Sequence, residues 1–337
     1  MMNDSLKGFA FLEFAAPDPK LLHAHFKELG FTKVETHNPF LVTLYQQNKI
    51  SFIVNETQDS QAHEHAKVHG PGASAMGFLV EDVEKTYTHL LKKGAKPHTP
   101  PQQIYDLPAI EAIGGSVIYL VDQNHQPFHA IKNANFNGAG LQYIDHLTHN
   151  VYRGNMDKWA LFYQDLFDFK QIRYFNIEGQ KTGLISRALG SKNGKIKIPL
   201  NESKDDHSQI EEFLHEYKGE GIQHIALHTA NIYQTIKTLR KNKITFLDVP
   251  DVYYEYVDKR IPWHKEPLAE LQKQRILIDG EKEESKGLLL QIFTENIFGP
   301  EFFEIIQRKG NDGFGEGNFQ ALFEAIERDQ IRRGTLK

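Results

Sequence analysis

Cysteine is absent from the 337-residue chain. That absence removes disulfides, thiolate nucleophiles, iron–sulfur clusters and cysteine-held zinc together. Any metal must therefore be bound by imidazole and carboxylate. Long apolar runs are missing as well: no stretch approaches the roughly 18 uninterrupted apolar residues of a membrane span, and Met1 to Lys7 lack the apolar core of a secretion signal. The cytoplasm is the expected compartment. Nor is there an excess of positive charge. Lys and Arg number 39 against 44 Asp and Glu, a formal net charge of −5, which argues against a general binder of nucleic acid or other polyanions. What is present, 40% hydrophobic and 25% charged residues, describes a soluble globular protein of about two domains. Its 17 histidines permit a metal site without locating one.

The chain repeats itself. Gly77 to Lys96 (GFLVEDVEKTYTHLLKKGAK) aligns without a gap on Ala226 to Thr245 (ALHTANIYQTIKTLRKNKIT), each an apolar strand followed by a helix. Val83, Tyr87 and Leu90 match Ile232, Ile236 and Leu239, at the spacing that puts each trio on one helical face against a sheet. A weaker pair joins Gly8 to Phe31 with Tyr143 to Phe169: a strand, a break at Pro17 or Gly154, then a helix closing on LGF or LFDF. The order is unit one, unit two, unit one, unit two, and each unit continues into β-rich sequence such as Phe40 to Tyr45, Ile50 to Val54 and Ser116 to Val121. Asn133 to Gln142, rich in Asn and Gly and without a hydrophobic period, is the expected linker.

In a duplicated chain, function is sought where the halves differ. His146 lies in a second-half strand (IDHLTHN), and the matching FAFLEFAA has no histidine. His224 lies in GIQHIALH, opposite Ala75. Alternation on a regular strand sends His146 and Thr148 one way and Leu147 and His149 the other, so His146 and His149 cannot serve one metal. His224 and His228 share a face, which leaves His228 as a competitor. A third ligand is suggested by Glu304, inside the apolar run FFEIIQR, where an unpaired carboxylate must find a cation or a proton. Two imidazoles and a carboxylate leave about three positions open on an octahedral metal, the arrangement of non-haem Fe(II) enzymes that bind a substrate and O₂ together. A different cluster, His63, His65 and His69 in HEHAKVHG, has i, i+4 spacing but no HExxH carboxylate and polar flanks. A solvated helical face is expected there.

IDHLTHNVYRGNM, GIQHIALHT, LLLQIFTENIFGPEFFEIIQRKG and GFGEGNF together resemble the bacterial 4-hydroxyphenylpyruvate dioxygenases of the vicinal-oxygen-chelate superfamily. The resemblance runs from GFAFLEFAAPDP to the end and is strongest in the second half. It implies an α+β fold of tandem βαβββ modules forming two open-barrel domains, residues 1–135 non-catalytic and residues 136–337 catalytic, with a C-terminal lid helix. It also implies Fe(II) on His146, His224 and Glu304, and a pocket of Ser186, Asn201, Gln209, Gln223, Gln291, Phe293, Phe302, Phe314 and Phe319, the last two closing it from the lid. The implied reaction takes an aromatic 2-oxo acid and O₂ to homogentisate and CO₂, within a homo-oligomer, dimer or tetramer.

The residue types suit that chemistry. Phe293, Phe302, Phe314 and Phe319 can form a flat apolar slot, and uncharged Ser186, Asn201, Gln209 and Gln223 can hold a phenol without competing for the metal. Rival readings are hydroxymandelate synthase, against which the family pattern sets an aromatic residue at Phe293; an extradiol ring-cleaving dioxygenase, which GFGEGNF fits poorly; and a binding protein of the same fold without turnover.

Overall fold

The computed structural model describes residues 5–37, 40–100, 102–128, 136–178, 183–281, 283–319 and 321. The first half runs β1 (Leu6–Ala15), α1 (Lys20–Glu28), β2 (Thr32–His37), β3 (Val42–Gln47), β4 (Ile50–Asn55), α2 (Gln61–His69), β5 (Gly72–Val80), α3 (Val83–Lys92), β6 (Ala109–Glu111) and β7 (Val117–Val121). These strands form a seven-stranded sheet in the order β2-β3-β4-β1-β5-β7-β6. The second half runs β8 (Leu141–Val151), α4 (Met156–Phe167), β9 (Lys170–Glu178), β10 (Gly183–Gly190), β11 (Lys197–Ser203), α5 (Gln209–Tyr217), β12 (Gly221–Thr229), α6 (Ile232–Lys241), α7 (Asp251–Tyr254), α8 (Val257–Arg260), α9 (Leu268–Gln274), β13 (Leu277–Gly280), β14 (Leu288–Phe293) and β15 (Phe302–Lys309). Its eight-stranded sheet has the order β13-β14-β15-β12-β8-β11-β10-β9.

The repeat extends to local detail. The helices α3 and α6, aligned from sequence, are capped by matched residues: the side chains of Asp82 and Asn231 accept from the backbone N–H three residues on. Each sheet has an antiparallel centre, β1 with β5 and β8 with β12, flanked by the parallel pairs β1 with β4, β5 with β7, β8 with β11 and β12 with β15. A helix precedes the central strand in the second and fourth units, α2 and α5, each N-capped by a serine, Ser60 and Ser208; α2 is the helix expected at HEHAKVHG, whereas α5 went unread in the sequence. The fourth unit also inserts α7, α8 and α9 before its strands. Of the expected linker, residues 133–135 lie outside the described residues, and Leu141 and Gln142 already belong to β8.

The convex faces of the two sheets share one core. Phe52 meets Phe303 at 6.0 Å between ring centroids, and Phe78 meets Phe167 at 5.3 Å. Leu12, Phe14 and Phe26 lie in the same buried cluster as Leu147, Ile225 and Ile305. Apolar burial of this kind is worth roughly 1.5–3 kcal/mol per large side chain, so the halves support each other. Glu301 adds a polar link, accepting from the backbone N–H of Ala73 at 3.1 Å.

The concave faces differ. In the first half, a separate cluster of Phe11, Tyr105, Tyr119, Val42 and Ile104 fills the interior. The Phe11 and Tyr119 rings approach to 6.0 Å, and a Cβ on Gly77 would stand 2.5 Å from the Phe11 ring, so only glycine fits beneath it. Through the register, Gly77 pairs with Phe11 and Tyr119 as Ala226 pairs with His146 and Glu304. Thus Phe11, Ala75 and Tyr119 occupy the first-half counterparts of His146, His224 and Glu304. That half holds apolar packing where the other holds ligating atoms.

One carboxyl remains in the packed interior. Glu13 is 1% exposed, its Oε1 accepts from Asn55 Nδ2 at 2.9 Å, and burial raises its pKa from 4.5 to about 7. The folded state holds this proton more tightly than the unfolded chain, so stability falls as pH rises from 4.5 to about 7 and is level above. The full loss is about 3 kcal/mol. Glu13→Gln is therefore expected to match the wild type at pH 4 and to exceed it by up to about 3 kcal/mol at pH 8. Chemical denaturation across that range checks this, and parallel pH profiles for the two proteins would contradict it.

Candidate metal centre

His146 on β8, His224 on β12 and Glu304 on β15 come from three adjacent strands and meet on the concave face, with one ligand atom from each within 4.8 Å of the others. Nε2 of His146 lies 3.1 Å, and Nε2 of His224 lies 3.5 Å, from the same carboxylate oxygen, Oε2 of Glu304. The imidazole rings stand 5.7 Å apart at 76°. None of the three side chains is more than 10% exposed.

Two irregularities in the central strand pair aim these groups. The β8–β12 register shifts between Ile222 and His224 and again between Ala226 and Leu227, making Gln223 and Asp145 the extra residues. A bulge turns its extra side chain out of strict alternation. Asp145 Oδ1 thus reaches Nδ1 of the next residue, His146, at 2.8 Å, and Gln223 Oε1 reaches Nδ1 of His224 at 3.0 Å. An oxygen acceptor at each Nδ1 fixes the proton there and leaves the Nε2 lone pair free to ligate. Regular alternation, assumed from sequence, places Asp145 and Gln223 on the wrong face for this. The β1–β5 pair has shifts at the matched places, around Ala10 and Ser74, so the bulges belong to the duplicated scaffold and only their side chains distinguish the halves.

Electrostatics favour an anionic acceptor between the rings. Burial alone would raise the Glu304 carboxyl, but the His146 and His224 imidazoles outweigh it and hold it down at about 2. Its other oxygen, Oε1, accepts from Gln291 Nε2 at 3.0 Å. For His146, burial is outweighed by Glu304 and Asp145 and the pKa rises; for His224, burial wins and the pKa falls. Asp145 is kept well below its usual range, against burial, by Arg308 and His146. The donors are two nitrogens and an oxygen, buried and oriented by outer hydrogen bonds. That set fits a divalent metal with open positions.

The other sequence-stated residues divide into two groups. Phe302 stacks on His224 at 5.0 Å, Phe293 faces it at 6.2 Å, and Phe314 meets His146 edge-on at 5.2 Å. These rings, with Gln223 and Gln291, adjoin the trio. Ser186 and Asn201 pair across β10 and β11, and Asn201 pairs with Asn150 of β8, on the face of Thr148 and His146. Gln209 is exposed at the first turn of α5. Phe314 precedes the helical turn that begins at Glu316, while Phe319 lies within it, 42% exposed. The rest of the expected lid, residue 320 and residues 322–337, lies outside the described residues.

Competing histidines go elsewhere. His228 stacks on Tyr143 at 4.4 Å and is not one of the trio. His149 turns to the helix layer, where Nε2 meets the Tyr163 hydroxyl at 2.8 Å. The solvated face expected for HEHAKVHG is only partly found. The helix forms as α2, but it packs against α5: His65 is 6% exposed with a pKa pushed by burial to about 3, and His69 stacks on Tyr217 at 4.3 Å. A solvated helix cannot pair with its counterpart across the halves, and this pairing was invisible because α5 was not foreseen.

Asn150 was also missed. It is fully buried, and neither amide atom meets a hydrogen-bond partner among the described residues. No motif marks it; only its place on β8 four residues after His146 signals a concave-face group. Because an unpartnered buried amide costs about 1–3 kcal/mol, Asn150→Leu should keep or raise thermal stability. Calorimetry checks this, and a loss of more than about 2 kcal/mol would show that the amide is satisfied in the folded protein.

Known proteins place this chain. Residues 3–137 match the family described as hydroxyphenylpyruvate dioxygenase, N-terminal, and residues 143–256 match the glyoxalase/bleomycin resistance protein/dioxygenase superfamily. The chain is 63% identical to a 4-hydroxyphenylpyruvate dioxygenase of Legionella pneumophila (strain Corby), over 98% of this chain and 97% of that protein. It is 50% identical to a 4-hydroxyphenylpyruvate dioxygenase of Pseudomonas aeruginosa, over 98% and 96%. A solved mutant of 4-hydroxymandelate synthase from Streptomyces coelicolor superposes with a TM-score of 0.83 at 23% identity, over 97% of this chain and 99% of that one, and shares the fold. By identity along nearly its whole length, the chain belongs to the 4-hydroxyphenylpyruvate dioxygenase family.

Proposed function

We infer that this chain is a dioxygenase that converts 4-hydroxyphenylpyruvate and O₂ to homogentisate and CO₂ in tyrosine catabolism, with Fe(II) held by His146, His224 and Glu304. The observation that carries the metal assignment is the convergence of three donor atoms within 4.8 Å, in a chain 63% identical to a named dioxygenase. Fe(II) at these ligands would supply a Lewis acid with free positions for a chelating 2-oxo acid and for O₂, and the redox chemistry by which the acid is decarboxylated and oxidised while O₂ is reduced.

The chain's own residues do the rest. Phe302 and Phe293, in contact with each other at 6.1 Å, wall the side of His224 and give an aromatic ring a flat surface. Phe314 covers His146 and limits water at the reacting atoms. Ser186, Asn201 and Gln209 are assigned to the far end of the substrate, where neutral groups hold a phenol in a fixed direction; Gln223 and Gln291 are assigned to the ligand end, since they already bond His224 and Glu304. Apart from iron ligation, the proposed steps ask no side chain for a covalent bond, in keeping with a chain that has no cysteine. Among the described residues no helix is long and apolar enough to cross a membrane; we place the enzyme in the cytoplasm, as a dimer or tetramer.

The test is O₂ uptake and product identity after anaerobic Fe(II) loading. The wild type should consume O₂ with 4-hydroxyphenylpyruvate and release homogentisate, and hydroxymandelate in its place would point to the alternative synthase. His146→Ala and Glu304→Ala should each lose turnover by at least about 10²-fold, on the scale of other essential catalytic groups, and lose bound metal, with unchanged circular dichroism. Wild-type-like turnover by either variant would refute the ligand assignment.

A further inference from the structure

Each end of the trio is connected to the short stretch that follows β15, His146 through Asp145 and Arg308 and Glu304 through Gln291. On one side, Asp145 is 4% exposed and bridges His146 Nδ1 and the Arg308 guanidinium, whose Nε and Nη2 donate to Oδ2 and Oδ1 at 2.8 and 2.7 Å. The remaining Nη1 donates to the carbonyls of Asn311 at 3.0 Å and Gly313 at 2.6 Å. On the other side, Gln291 donates to Glu304 Oε1, while its own carbonyl accepts from Asn318 Nδ2 at 2.8 Å. Asn318 is in turn held by the Tyr253 hydroxyl at 2.6 Å. Gly315 passes directly over Gln291, where φ is +82° and a Cβ would stand 1.7 Å from Oε1, so the backbone can close on the amide only as glycine.

We propose that Asp145–Arg308 and Gln291–Asn318 are paired positioning devices that make the order of residues 313–318 and the occupation of the metal centre a single coupled equilibrium. This rests on the reading of His146, His224 and Glu304 as ligands. A bidentate guanidinium on Asp145 fixes the carboxylate, which fixes the ring and its proton; the amide of Gln291 leaves only Oε2 of Glu304 free to ligate. Metal binding draws both ligands into one geometry and so favours the segment arrangement that holds them. By linkage, loosening the segment weakens the metal by the same factor.

The experiment uses Co(II) as probe, with affinity from its visible spectrum and hydrogen exchange at residues 313–318 with and without metal. In the wild type, Co(II) should slow exchange there. Asp145→Asn, Arg308→Gln and Asn318→Ala should each weaken Co(II) by about 10–100-fold, the range for outer partners of metal ligands, and remove most of the metal-dependent slowing. Arg308→Lys keeps the charge without the fork and should fall between Arg308→Gln and the wild type. Wild-type exchange alone decides the matter if a variant fails to fold: a segment indifferent to Co(II) overturns the proposal, as do variants that bind Co(II) with wild-type affinity. If the wild type itself binds no Co(II), or His146→Ala binds it equally well, the ligand assignment has failed instead.

Discussion

One carboxylate oxygen facing two imidazole nitrogens inside a protein core is the constraint from which the rest of the site follows. In a medium that screens charge poorly, such a group is stable only when its charge is matched and its other atoms are hydrogen-bonded. The structure meets both demands. Oε1 of Glu304 is held by Gln291, and both Nδ1 atoms have oxygen acceptors. What is left over is directional: two lone pairs and one oxygen within 4.8 Å of one another, a donor set that suits a metal with open positions.

The duplicated scaffold explains how such a point is reached. Strands from two modules meet antiparallel at the centre of each sheet, and the bulges beside that seam turn adjacent side chains toward one another. In the first half the same positions carry Ala10, Phe11, Ser74 and Ala75, with Tyr119 opposite, and the interior packs shut. In the second they carry Asp145, His146, Gln223 and His224, with Glu304 opposite. One backbone thus carries a packed interior in one half and a convergent set of donor atoms in the other. The sheet faces that bury Phe52 against Phe303, with Phe167 at the end of α4 against Phe78, hold the furnished half against the unfurnished one.

Much of this was legible in the sequence because it depends on periodicity and on contrast. Gapless alignment gave the helices α3 and α6, whose matched caps at Asp82 and Asn231 the structure adds, and asking where histidines appear in one half alone led to His146 and His224. Glu304 followed from the cost of a carboxylate in an apolar strand. What escaped depends on contacts between distant segments. Nothing local marks Asp145 or Gln223 as bulged, since a bulge is a property of the strand pair. The burial of α2 was hidden because it depends on α5, whose Tyr217 meets His65 and His69, and a half-polar pattern such as HEHAKVHG resembles a solvated surface until its partner is known. Asn150 shows the same limit, for burial without a partner cannot be read from a strand whose residues are buried on both faces from Ile144 to Val151.

The central claim is that three side chains from three strands of the second sheet surround one ferrous ion. X-ray absorption at the iron edge of the protein loaded anaerobically with one equivalent of Fe(II) tests it most directly. The account predicts a shell of nitrogen and oxygen atoms with outer scattering from two imidazoles, falling to one in His224→Ala. A spectrum that His224→Ala leaves unchanged, or one that requires no imidazole at all, would contradict it.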